Sequence, residues 1–175
     1  RRRFGSIDGA VHSALVLADG PIARMEAEAF RAAYDPKAIG SEILARVLEE
    51  DSLDFLLFMS SAVSFTANPG QANYAAGSAF QDALAMRLDE AGTHGRVRVV
   101  NWGFWGEVGR VATPEYTESL ARIGVGPLTT AEGLEITERV LGSPVRQVLA
   151  IRMEPDLLGP LGHVRERGWT AAPSG

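Results

Sequence analysis

The chain has 175 residues, 46% hydrophobic and 22% charged, a size and balance that fit one globular domain. A formal net charge of −5 and a pI near 5.2 argue against a nucleic-acid partner. The absence of cysteine excludes disulfides, thiolate nucleophiles and cysteine-bound metals. His12, His94 and His163 show no metal-ligand spacing, and no apolar stretch approaches the roughly 18 residues needed to cross a bilayer. The sequence opens on Arg1, Arg2 and Arg3 without a start methionine or signal-peptide pattern, and is expected to be a piece of a longer chain.

Residues 7–17 form an apolar, β-branched run suited to a buried strand, which ADGP should end. Residues 25–34 favour helix; Pro36 is expected to break or restart it, and a second helical stretch follows from Lys37. A second buried strand is expected over 54–60, then a turn at NPGQ, residues 68–71. Residues 74–92 form the strongest helical pattern, closed by Gly92. A third strand is expected over 96–103 and a short helix around 114–122. Thr130 is expected to cap a helix running to Leu141, and residues 145–153 read as a fourth strand. Beyond Pro155, Gly, Pro and charge dominate, so 155–175 reads as a tail or inter-domain linker.

Strands alternating with helices predict an α/β fold, a doubly wound parallel sheet covered on both faces. Ligands of such sheets sit beyond the carboxyl ends of the strands. Ser61 lies just past one strand end and Tyr74 near the start of the next helix, so both can face one crevice. A phenol's pKa near 10 makes proton exchange slow at neutral pH unless a cation stabilises the phenolate. Lys37 is the candidate cation. Ser61 is suited to hydrogen-bond a carbonyl oxygen, and Ser78 follows Tyr74 by one helical turn. The set suits proton donation to a carbonyl while a cofactor supplies hydride.

The segment FLLFMSSAVSFTANPGQANYAAGSAFQDALA strongly resembles the catalytic stretch of ketoreductase domains of modular polyketide synthases, members of the short-chain dehydrogenase/reductase superfamily. The resemblance continues through VHSALVLADGP, DPKAIGS, VNWGFWGEVG and GVGPLTTAEGLEITERVL, and is greatest to assembly lines with separately encoded acyltransferases. It implies a Rossmann-like sheet over residues 1–154, forming the C-terminal portion of the catalytic subdomain. The family's glycine-rich phosphate loop is not found in this sequence.

By resemblance, Tyr74 is the proton donor, Ser61 orients the carbonyl and Lys37 supports the relay. Ser78 stands where many of these domains carry asparagine. His12, Ser13 and Ala14, with Asn101, Trp102 and Gly103, match segments flanking the cofactor, implied to be NADPH. Asp19, Pro69, Gln71, Asn73 and Phe104 fall along the substrate groove. Asp19, Thr66, Pro69 and Asn73 match the B-type pattern, which gives a D-3-hydroxy product. Residues 104–126 match a mobile lid.

The implied activity is NADPH-dependent reduction of a 3-ketoacyl group carried by an acyl carrier protein, in the cytoplasm, beside other domains of the same synthase. No metal, nucleic acid or membrane is implied. The 175 residues alone are expected neither to bind NADPH tightly nor to turn over. The alternative reading is a structural pseudo-ketoreductase that scaffolds neighbouring domains. A free-standing dehydrogenase of small carbonyls fits less well, because such enzymes place lysine where Ser78 stands.

Overall fold

The computed structural model describes residues 3, 5–66, 68–108 and 113–154; the expected tail over 155–175 lies outside the described residues. Four strands form one parallel sheet: β1 (Gly9–His12), β2 (Phe55–Ser61), β3 (Arg96–Trp102) and β5 (Gln147–Ala150), in spatial order β1-β2-β3-β5. Between them run α1 (Ala27–Leu48), α2 (Ala72–Ala91), α3 (Pro114–Ala121), the short strand β4 (Val125–Gly126) and α4 (Thr130–Gly142). A final short strand, β6 (Arg152–Met153), pairs antiparallel with β4.

Alternation along the strands explains the two layers. Leu56 and Phe58 of β2, with Val97 and Val99 of β3, face Leu48 of α1 and Ala85 of α2. Leu57, Val100 and Trp102 point the other way, onto Val140 of α4 and Ala150 of β5. Each face thus buries its own apolar cluster, and the carboxyl ends of β2 and β3 stop level, Ser61 opposite Trp102.

Four local expectations need correction. The first strand is only four residues long; beyond His12 the chain leaves the sheet, and Asn73 Nδ2 holds it by donating to the Ala18 carbonyl at 2.8 Å. Pro36 does not break α1, which is continuous over 22 residues. The burial of Ala33, Ala38, Ser41, Ala45 and Leu48 offsets the roughly 3 kcal/mol that an interior proline costs. Thr129, not Thr130, caps α4. It stands three residues before Glu132, the spacing of a reciprocal capping box, whereas Thr130 stands only two. The last predicted strand is two: β5 ends where the Ala150 carbonyl accepts from Gly103 N–H, and β6 turns away to β4.

Two glycines shape the helix that carries Tyr74. Gly92 ends α2 in the left-handed region, at φ 68°, with open space around it. Gly77 lies where α2 meets α1; a Cβ there would come within 3.2 Å of the Tyr34 carbonyl oxygen and 3.3 Å of Lys37 Cβ. Gly92→Ala should therefore cost about 1 kcal/mol. Gly77→Val should cost more, roughly 2–3 kcal/mol, because backbone must retreat. Denaturant unfolding of both variants checks this ranking, and the reverse order would contradict the close helix approach.

Candidate active site

Ser60 and Ser61 end β2 and point to opposite faces. The Ser60 hydroxyl donates inward to the Ser78 carbonyl and accepts from the Asn101 amide. Ser61 accepts from Val63 N–H, so it starts the 3-10 turn Ala62–Ser64, and its side chain stands close enough to hydrogen-bond the Tyr74 phenol. Tyr74 is the third residue of α2. The Asn73 side chain accepts from the Tyr74 N–H while donating to the carbonyls of Ala18 and Ala29. One buried asparagine thus fixes the helix start, the strand-end segment and the opening of α1 together.

Lys37 projects from α1 into the interior and is 1% exposed. It is the only lysine among the chain's 17 Lys and Arg residues. Its ammonium donates to the Met59 carbonyl at 2.9 Å and to Gln81 Oε1 at 3.2 Å, and lies 5.4 Å from the centre of the Tyr74 ring. Burial lowers the Lys37 pKa from 10.5 to about 8, with Asp82 opposing that shift. Burial also raises the Tyr74 pKa; the neighbouring Ser61 pulls it back, while Tyr116 and Asp19 add to the rise. His12, behind Lys37, is held below its usual value, first by burial and then by the lysine's charge.

Ser78 is fully buried, and its hydroxyl has no hydrogen-bond partner among the described residues. Ser13 and Ala14 are exposed just past β1. Asn101 is buried, donating to Asp82, Ser60 and the Ser61 carbonyl and accepting from Gln147. The Trp102 indole donates to the Met59 sulfur and stacks edge-on against Trp105; Gly103 is tied to Ala150. These three residues brace the sheet edge from below.

On the groove side, Gln71 donates to Asp19 at 2.9 Å and accepts from Asn68, which accepts in turn from Thr66. Gly20 N–H meets the Gly70 carbonyl, so the loops after β1 and β2 are joined by backbone as well. Pro69 is exposed at the tip, and Phe104 is buried against Tyr116 of α3 with ring centres 5.2 Å apart. Sequence reasoning did not single out Gln81, Ser41, Asp82 or Tyr116. Gln81 gave no usable signal of its own: it lies seven residues after Tyr74 on the same helical face, but its burial is evident only in the fold.

A parallel sheet flanked by helices, with serine, tyrosine and lysine gathered at its carboxyl edge, defines a domain of the short-chain dehydrogenase/reductase type. The KR domain family model matches residues 1–107, and the chain belongs to that family, the ketoreductase domains of polyketide synthases. It is 42% identical over 162 residues to polyketide synthase ThaG of Burkholderia thailandensis, covering 92% of this chain and 3% of the relative. It is 40% identical over 147 residues to polyketide synthase PksN of Bacillus subtilis, covering 84% and 3%. An N-terminal ketoreductase from the macrolactin assembly line superposes with a TM-score of 0.80 at 26% identity, over 91% of this chain and 31% of that one. The chain therefore spans a small fraction of the synthases it matches and about a third of the solved ketoreductase. No helix among the described residues is long and apolar enough to cross a membrane.

The buried amine makes a pH prediction. Folded Lys37 releases its proton near pH 8, the unfolded lysine near 10.5, so between these values the unfolded chain binds more protons. The penalty of burying the charge fades as pH rises, and unfolding free energy should climb relative to Lys37→Met. The full climb is about 3 kcal/mol. Denaturant titrations of the complete domain from about pH 7.5 to 10.5 measure it; parallel curves for the two proteins would contradict the buried-amine geometry.

Proposed function

We propose that this chain is the catalytic portion of an NADPH-dependent reductase that converts a 3-ketoacyl group on an acyl carrier protein to the 3-hydroxyacyl form. The supporting observation is the placement of the buried Lys37 ammonium beneath the Tyr74 ring, with Ser61 beside the phenol. Ser61 hydrogen-bonds the substrate carbonyl and holds it next to Tyr74. The phenol gives its proton to the carbonyl oxygen as the carbon becomes tetrahedral. Lys37 stabilises the resulting phenolate at short range in a dry site, where one charge acts strongly on another. A non-catalytic scaffold would leave a buried lysine aimed at a tyrosine without a purpose.

The chain's own residues fit a nicotinamide cofactor in part. Exposed Ser13 and Ala14 lie past β1 at the carboxyl edge, where they would contact it, whereas the Asn101 side chain is fully engaged inside the protein. When bound, the cofactor supplies the hydride. The B-type assignment draws on Asp19, which Gln71 fixes at the groove wall and which places a negative charge near Tyr74 and Tyr116. Neighbouring synthase domains present the carrier-bound substrate, and a cytoplasmic setting follows from that role.

The test is reduction of a 3-ketoacyl thioester by the complete domain, followed by NADPH consumption. Tyr74→Phe should lower the rate by about 10³-fold or more, and chiral analysis should show the D-3-hydroxy product. An unchanged rate removes Tyr74 from the mechanism. An L-configured product overturns the B-type assignment alone.

A further inference from the structure

We infer that Gln81 is a positioning residue for the reduction: its buried amide carbonyl holds the Lys37 ammonium against Tyr74. The inference rests on the reductase reading and names the group that acts on Lys37. Ser78, one turn after Tyr74, makes no side-chain hydrogen bond among the described residues. Gln81 stands seven residues after Tyr74, on the same face of α2, and reaches Lys37 directly at 3.2 Å.

Every polar atom of the Gln81 amide is used. Oε1 accepts from Lys37 Nζ; Nε2 donates to Ser41 Oγ at 2.9 Å and lies 3.0 Å from His12 Nδ1. These partners fix which way the amide faces. Turned over, it would set N–H donors against an ammonium, which has no acceptor to offer. His12 Nδ1 therefore accepts, which puts the proton of the neutral ring on Nε2. His12 from β1 and Ser41 from α1 orient Gln81, and Gln81 orients Lys37. The side chain is 0% exposed, so solvent offers no ready substitute for the contact.

The charged or titratable groups around Lys37 among the described residues are His12 on β1 and Tyr74 and Asp82 on α2; β2 contributes the Met59 carbonyl. Asp82 acts at longer range, since its Oδ2 accepts from Asn101. Gln81 is thus the side chain whose removal alters the ammonium's hydrogen bonding directly.

Two near-isosteric variants test this in the complete ketoreductase domain with labelled lysine, in which loss of a signal in Lys37→Met assigns the Lys37 resonance. Gln81→Met removes the acceptor and should lower the Lys37 pKa, read by NMR without cofactor, by about one unit. Gln81→Glu places a carboxylate there and should raise it by about as much. In reduction assays kcat of Gln81→Met should fall about 10- to 100-fold with KM for the thioester little changed. The alkaline limb of its pH profile should move down, and that of Gln81→Glu up. If either variant fails to fold, the other carries the test. A folded variant whose Lys37 pKa and alkaline limb both stay in place overturns the inference. The reductase reading fails separately, if Tyr74→Phe retains full rate; the NMR shifts do not depend on that result.

Discussion

The site depends on one buried amine. An ammonium taken out of water is unfavourable unless it is hydrogen-bonded, and Lys37 is held by a strand carbonyl and a helix amide with an aromatic face above it. The carbonyl comes from β2, and the amide and the ring from α2, so the lysine draws α1, β2 and α2 to one point. Gly77 permits this by letting the two helix backbones approach at the level of Lys37. The same burial that destabilises the charge brings its ionisation close to neutral pH, as the proposed balancing of a phenolate requires.

Around that point, asparagine and glutamine do the bracing. Asn73 ties the loop after β1 and the start of α1 to the helix of Tyr74. Asn101 ties the end of β2 to α2 through Ser60, Ser61 and Asp82. Gln71 ties Asp19 to the loop after β2. Neutral amides suit the task because they donate and accept at once and add no charge to compete with Lys37. Asp19 and Pro69, on the loops after β1 and β2, are exposed, whereas Lys37, set against the Tyr74 ring, is buried.

Much of this was legible in the sequence. Apolar runs located β2 and β3 to within a residue or two, and the αL glycine after α2 was marked by its type. What failed was governed by long-range contacts. The segment after β1 is held away from the sheet at Ala18 by Asn73, 55 residues away in sequence, and continuity of α1 through Pro36 reflects burial that no local propensity encodes. Gln81 was overlooked for a related reason: a glutamine in a helix normally faces water, and only the packing of α1 and β1 against it reveals its three polar partners.

The strand β2 carries a further consequence. The Met59 carbonyl that receives Lys37 and the Ser61 side chain beside Tyr74 are two residues apart on it. A slip of β2 by a single residue would turn Ser60 toward the crevice and Ser61 toward Asn101, and move the lysine's acceptor as well. The acceptor of Lys37 and the Ser61 side chain therefore cannot be misplaced independently. The pair acts as a parity check on the sheet: a misregistered strand would lose both contacts at once.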